Sequence, residues 1–230
     1  MKKFLLCTML VVFCACLVGC GKKEEEKEPK VIDDPVAGSY TVNTDIKMAS
    51  MSKSAKEVFE LAIKDSKEEL EPVALLGTQV VAGTNYMYLC KSNAELKVAV
   101  VYKDLEGNAS ITKVNNFNIS DFTNNDSTNS DEKIAGGWTI NSADPKVELE
   151  EKAQEAFTKA TADLTGKGYK PIALLGTQVV AGTNYSVLAL GTTVTKEPTY
   201  SLNVLTIYND LEGNASVTNI SNVDLSQFNK

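Results

Sequence analysis

Histidine and arginine are absent from the 230-residue chain, so every basic side chain is a lysine. Without histidine there is no Ser–His or Cys–His nucleophilic pair and no His-ligated zinc. Without arginine the planar fork that grips phosphates and carboxylates is missing. Lysine chemistry and carboxylate pairs remain open in principle, but no spacing in the chain points to either. The expectation is a protein that is not an enzyme and carries no cofactor and no metal. Basic charge is also short: the formal net charge is −7, nearer −9 once Lys2 and Lys3 are set aside with a leader. That balance argues against nucleic acid and against anionic lipid surfaces as partners.

Cysteine is scarce beyond the N-terminus. Cys7, Cys14, Cys16 and Cys20 fall in the first 20 residues, leaving Cys90 alone in the remainder. No disulfide within one mature chain is available, so the fold must rest on its cores. Cys90 reads as core filler rather than a reactive thiol, because its counterpart in the repeat described below is not a cysteine. Residues 1–20 open with Lys2-Lys3 and continue as an apolar run from Phe4 to Leu17. That run is too short and wrongly flanked for a spanning helix and reads as a secretory signal. Its end, Leu17-Val18-Gly19-Cys20, resembles a bacterial lipobox. The resemblance implies lipidation of Cys20 and a chain anchored in the cell envelope, facing outward from the cytoplasmic membrane. Residues 21–34 are charged and Pro-containing, a solvated linker that reaches at most roughly 45–50 Å at about 3.3–3.6 Å per residue.

What the chain does have is a duplication. Ala74-Leu-Leu-Gly-Thr-Gln-Val-Val-Ala-Gly-Thr-Asn-Tyr86 returns letter for letter as Ala173 to Tyr185. With 43% hydrophobic and 23% charged residues the rest reads as ordinary globular material, divided into domains at 35–122 and 134–230. Between them 123–133 is almost devoid of apolar residues, which predicts a flexible linker and domains that are tethered rather than fused.

Each copy repeats one pattern. Val36–Thr44 and Ile134–Ser142 alternate as short first strands. Ala55, Val58, Phe59, Ala62, Ile63 and Leu70 recur at helical spacing, as do Leu149, Ala153, Ala156, Phe157, Ala160 and Leu164. Ser54-x-x-Glu57 fits a capping box, Asp144-Pro145 an N-cap and first helical position, and Gly166 and Gly168 a stop. Pro72 and Pro171 open a second strand that turns at Gln-Val-Val-Ala-Gly into Thr84–Cys90 or Thr183–Leu190. A fourth strand over Leu96–Lys103 alternates as though one face were wetter. Asp104–Ser110 and its identical partner Asp210–Ser216 carry hairpin-turn chemistry. A fifth strand ends near Phe122 or Phe228. The fold class is α+β, one helix covering an antiparallel sheet in each copy.

This order, with Gln79-Val80-Val81-Ala82-Gly83 and Gln178-Val179-Val180-Ala181-Gly182 between second and third strands, resembles the cystatins. These are protein inhibitors of papain-like cysteine proteases. The resemblance implies two tandem cystatin-like domains, each with a helix across a four- to five-stranded sheet. It also implies a wedge of an N-terminal glycine trunk and a first hairpin loop that plugs the protease cleft. The trunk glycines would be Gly38 and Gly136 or Gly137. The valines would form exposed apolar tips, while Gly83 and Gly182 would permit the turn. The second loop departs from the family, since neither Asp104–Asn108 nor its copy holds Pro-Trp; Leu105 and Leu211 are its only apolar residues. Trp138 follows the trunk glycines instead. The implied function is a cell-surface lipoprotein, a monomer, that inhibits papain-like proteases of host or bacterial origin. The alternative is a non-inhibitory binding or adhesion module for another protein or a glycan.

Overall fold

A computed structural model describes residues 38–44, 51–123, 137–140 and 149–229. The signal segment, Cys20, the charged linker 21–34, Asp144-Pro145, Gly136 and all of the second linker but Thr123 lie outside these residues. The described chain is α+β, with two helices and two antiparallel five-stranded sheets. This architecture is compatible with two cystatin-like units in tandem.

The first sheet holds β1 (Tyr40–Val42), β2 (Glu71–Val81), β3 (Gly83–Ser92), β4 (Glu95–Lys103) and β5 (Ala109–Asn116), paired in that order. Helix α1 (Lys53–Ile63) lies between β1 and β2 in the chain. The second copy repeats the plan with β6 (Trp138–Ile140), α2 (Glu151–Thr161), β7 (Lys167–Val180), β8 (Gly182–Thr193), β9 (Tyr200–Asn209) and β10 (Ala215–Val223).

Local boundaries differ from the sequence expectations for identifiable reasons. Ser52, not Ser54, caps α1, its hydroxyl accepting from the Ala55 amide at 3.2 Å. Helix α2 begins at Glu151, after Glu150, six residues beyond Pro145. Pro171 sits inside β7 rather than opening it. The position is tolerated because, among the described residues, β6 pairs only with Gly176–Gln178 and no strand flanks Pro171 on that side of β7. The fifth strands stop at Asn116 and Val223, and the phenylalanines lie beyond them on short 3-10 helices, Ile119–Phe122 and Leu225–Asn229.

Alternation along the central strands explains the layering. In β3, Tyr88 and Cys90 face α1 while Met87 and Leu89 face the other way; in β4, Ala99 and Val101 oppose Leu96, Val98 and Val100. All nine are buried, so β4 has no wet face. Phe59 meets Tyr88 edge-on at 5.1 Å, and the Tyr88 hydroxyl donates to the Ala55 carbonyl at 2.9 Å. Phe157 and Val187 occupy the matching positions under α2. The register of β2 slips at Pro72/Ala74 and at Leu75/Gly77, and β7 slips at the same places. Such bulges bend a strand and increase its twist.

The face turned away from each helix is covered by the other copy. Val73, Leu76, Met87, Leu89 and Val98 join Ile172, Leu175, Leu188, Leu190 and Val204 in one continuous core. The expectation of tethered domains is therefore corrected: the copies are fused through their sheets, giving the layers helix, sheet, sheet, helix. The cause is composition, since two apolar faces per sheet need two covers and each copy owns one helix. The short C-terminal turns complete the join. Ile119 and Phe122, Leu225 and Phe228 enter the shared core. Asn115 Nδ2 donates to the Phe228 carbonyl and Asn219 Nδ2 to the Phe122 carbonyl, both at 2.7 Å. Each bond ties the fifth strand of one copy to the C-terminal turn of the other.

Candidate functional site

The hairpins at Val81–Gly83 and Val180–Gly182 are as tight as the glycines suggest. Val81 pairs with Gly83 and Val180 with Gly182, leaving a single alanine at each tip. Gly83 has φ +123° and Gly182 +125°, a region that favours glycine. A Cβ on Gly83 would lie 2.5 Å from the Lys103 carbonyl oxygen, and one on Gly182 would lie 2.4 Å from that of Asn209. Backbone conformation and close approach to the next strand both demand glycine here.

The side chains of the motif divide by direction. Val80 and Val81 are 50% and 42% exposed, Val179 and Val180 74% and 40%, so the apolar tips do face solvent. Adjacent valines at both hairpins thus leave half or more of Val80 and Val179, and about two-fifths of Val81 and Val180, open to solvent or a partner. The glutamines go inward, against the expectation that the whole pentapeptide reaches out. Gln79 and Gln178 are 7% and 4% exposed. Gln79 Nε2 donates to the Gly38 carbonyl at 2.7 Å, and its Oε1 accepts from Asn85 Nδ2 at 2.7 Å. Gln178 Oε1 accepts from Asn184 Nδ2 at the same distance. Gln79 thus ties the trunk strand to the hairpin.

Gly38 sits beside this hairpin with φ +89° and open space where a Cβ would be. Its carbonyl is the acceptor that fixes the trunk to Gln79. Gly137 immediately precedes β6 and is half-buried. Trp138 pairs with Gln178, as Tyr40 does with Gln79, and both aromatics pack against the shared core.

Two further residues escaped the sequence reading. The Tyr102 hydroxyl donates to the Ala82 carbonyl, and that of Tyr208 donates to the Ala181 carbonyl at 2.6 Å. Each tyrosine pins the hairpin tip to the strand leading into the next loop. The available signal was their equivalent placement two residues before Asp104 and Asp210. Those loops are rigid in their own right. Asp104 accepts from the Asn108 backbone and side chain at 2.8 Å each, and Asp210 does the same with Asn214. These bonds hold both carboxyls below their ordinary range, with the Asn side-chain bond as the main cause. Leu105 and Leu211 project from the two loops at 83% and 86% exposure.

At the end of each sheet, then, a valine hairpin stands beside a leucine loop and a trunk strand. The chain is similar to a cystatin. Over 60 residues it is 47% identical to the protein named Cystatin-A1 of Dictyostelium discoideum, a match that covers 26% of this chain and 63% of that relative. No family model matches the chain, and no solved structure does. The matched stretch is thus about a quarter of this chain and less than two thirds of that relative.

Proposed function

We propose that this chain inhibits papain-like cysteine proteases, with Val80-Val81 and Val179-Val180 entering the protease cleft. The observation that carries the reading is the exposure of paired valines on pinned hairpins, in a chain similar to a cystatin. Each valine fully buried in a cleft contributes roughly 1.5–3 kcal/mol. The cost of docking is low because Tyr102, Tyr208 and the glutamine bonds order the tips beforehand.

In this reading Gly83 and Gly182 keep the tips narrow, and Gly38 and Gly136–Gly137 carry the trunk. Ala82 and Ala181 present backbone at the apex. Gln79 and Gln178 act through position rather than contact. Leu105 and Leu211 take the place of the Pro-Trp loop as the flanking apolar contact. Lipidation at Cys20, with residues 21–34 as a spacer, would place this inhibitor at the outer face of the membrane.

The test is titration of papain with the chain expressed from Gly21 onward, which contains every described residue. Loss of papain activity in proportion to added chain is the expected result. Activity undiminished at roughly ten micromolar chain, where binding is worth only about 7 kcal/mol, would overturn the proposal for this protease class.

A further inference from the structure

The fused core fixes where the two hairpins point. Gly38, Tyr40 and Gln79, at the hairpin end of the first copy, line one cleft with Tyr200, Leu202 and Asp224 of the second. In the second copy Tyr200 pairs with Thr192, whereas the hairpin residue Thr183 pairs with Asn209 at the opposite end of β9. The first copy's hairpin end therefore lies beside the second copy's far end. The reverse relation holds independently. A Cβ on Gly176, two residues before Gln178, would lie 2.8 Å from Ile119 Cδ1. Ile119 follows Asn116, which pairs with Lys97, while Lys103 at the other end of β4 pairs with the hairpin residue Thr84. Both junctions place hairpin end against far end, so the sheets run head to tail.

From this we infer that one chain holds two cysteine proteases at once, one at each end of the fused body. The inference rests on the proposed inhibition. The ten residues of β9 span roughly 30 Å at about 3.3 Å each, and the valine tips lie beyond opposite ends of that length. A globular protease of about 200 residues has a radius of gyration near 16–17 Å. Two such bodies seated outward at opposite ends face away from each other and do not collide. Each end is also furnished separately: Val80, Val81 and Leu105 at one, Val179, Val180 and Leu211 at the other, all exposed. None of the six belongs to the shared core, so occupying one end takes nothing from the other. The common core replaces linker freedom with a fixed, opposed orientation, and the chain acts as a rigid bridge between two proteases.

Sedimentation of the chain from Gly21 onward with excess papain, alkylated at its catalytic cysteine, reads the stoichiometry directly. The expected species contains one chain and two papain molecules. Val80→Asp and Val179→Asp, at exposed positions, should each reduce it to one and one, and the double variant should bind none. Circular dichroism melts confirm that the variants fold. A one-to-one complex with the unaltered chain would overturn the inference while leaving inhibition standing. Retention of one papain by each single variant would then mean mutual exclusion, and total loss in only one of them a single working end. No complex in any sample would remove the inhibitor reading and this inference with it.

Discussion

Leu225, on the C-terminal 3-10 helix of the second copy, lies directly over Gly77 in the first. A Cβ at position 77 would sit 2.6 Å from Leu225 Cδ1 and 2.6 Å from the Thr41 carbonyl oxygen. The glycine inside the repeated block is thus required by two neighbours at once: its own trunk strand and the other copy.

Gly77→Ala should accordingly destabilise the chain by about 1–3 kcal/mol, the usual cost of forcing a methyl into a filled core. The same change at Gly176, beneath Ile119 and the Thr139 carbonyl, should act similarly. Urea midpoints at constant slope measure both. A neutral substitution would mean that the packing between copies is looser than these distances imply.

Cutting the chain between its copies should fail to yield two monomers. Residues 35–122 alone would expose Val73, Leu76, Met87, Leu89, Val98 and Phe117, which are now covered by the second sheet. An open apolar face of that kind drives association. Size-exclusion chromatography of the fragment should show dimers or aggregates. A well-behaved monomer would contradict the fused core.

Much of this was legible in the sequence, and the rest has physical causes. The duplication, both helices, the hairpin positions and the outward valines follow from periodicity and turn chemistry. What alternation could not reveal was the cover over the second apolar face. Leu96, Val98 and Val100 in β4 show a period of two whether Ala99 and Val101 meet water or a helix, and small residues such as Ala99 read as neutral. The role of Gln79 was equally hidden. A polar residue beside two valines looks like part of an exposed tip until the Gly38 carbonyl is seen within 2.7 Å. The polar linker between the copies suggested separation, yet a linker's composition says nothing of what the surfaces it joins will do.

Gln79 and Val80, adjacent in the chain, should therefore respond differently to substitution. Gln79→Ala leaves the Gly38 carbonyl and Asn85 without their present partner and should cost about 1–2 kcal/mol of stability. Val80→Asp alters a half-exposed side chain outside the core and should change stability by no more than about 0.5 kcal/mol. It should weaken papain binding at that end at least about tenfold, since a buried valine is worth more than 1.4 kcal/mol. Melting curves and inhibition assays on the two variants distinguish positioning from contact.

The Asp104 loop should persist into acid. Its carboxyl is held below the ordinary value of 3.8, chiefly by the Asn108 side chain. A depressed folded value means that the interaction is fully present above pH about 4 and is lost as pH falls through the lower folded value. Carbonyl NMR titration should find Asp104 and Asp210 ionising below the ordinary aspartate value of 3.8. Asn108→Ala removes the largest of these bonds but keeps the backbone ones, so it should raise the Asp104 value toward the ordinary range and leave Asp210 unmoved.

Cys90 and Trp138 together report whether the copies unfold as one. Cys90 is wholly buried under α1 in the first copy, and burial pushes its thiol well above the ordinary value of 9.0. It should resist thiol reagents in the native chain and become reactive only on unfolding. A raised folded value also means that this contribution is intact below pH about 9 and is lost as pH rises above it. Trp138, the single tryptophan, lies in the second copy against the shared core. In the chain from Gly21 onward, urea should expose Cys90 and shift the Trp138 emission at one common midpoint, because neither sheet keeps both of its covers once the other is lost. Two separated midpoints would show that each copy is stable alone, and that the shared core joins them without making them cooperative.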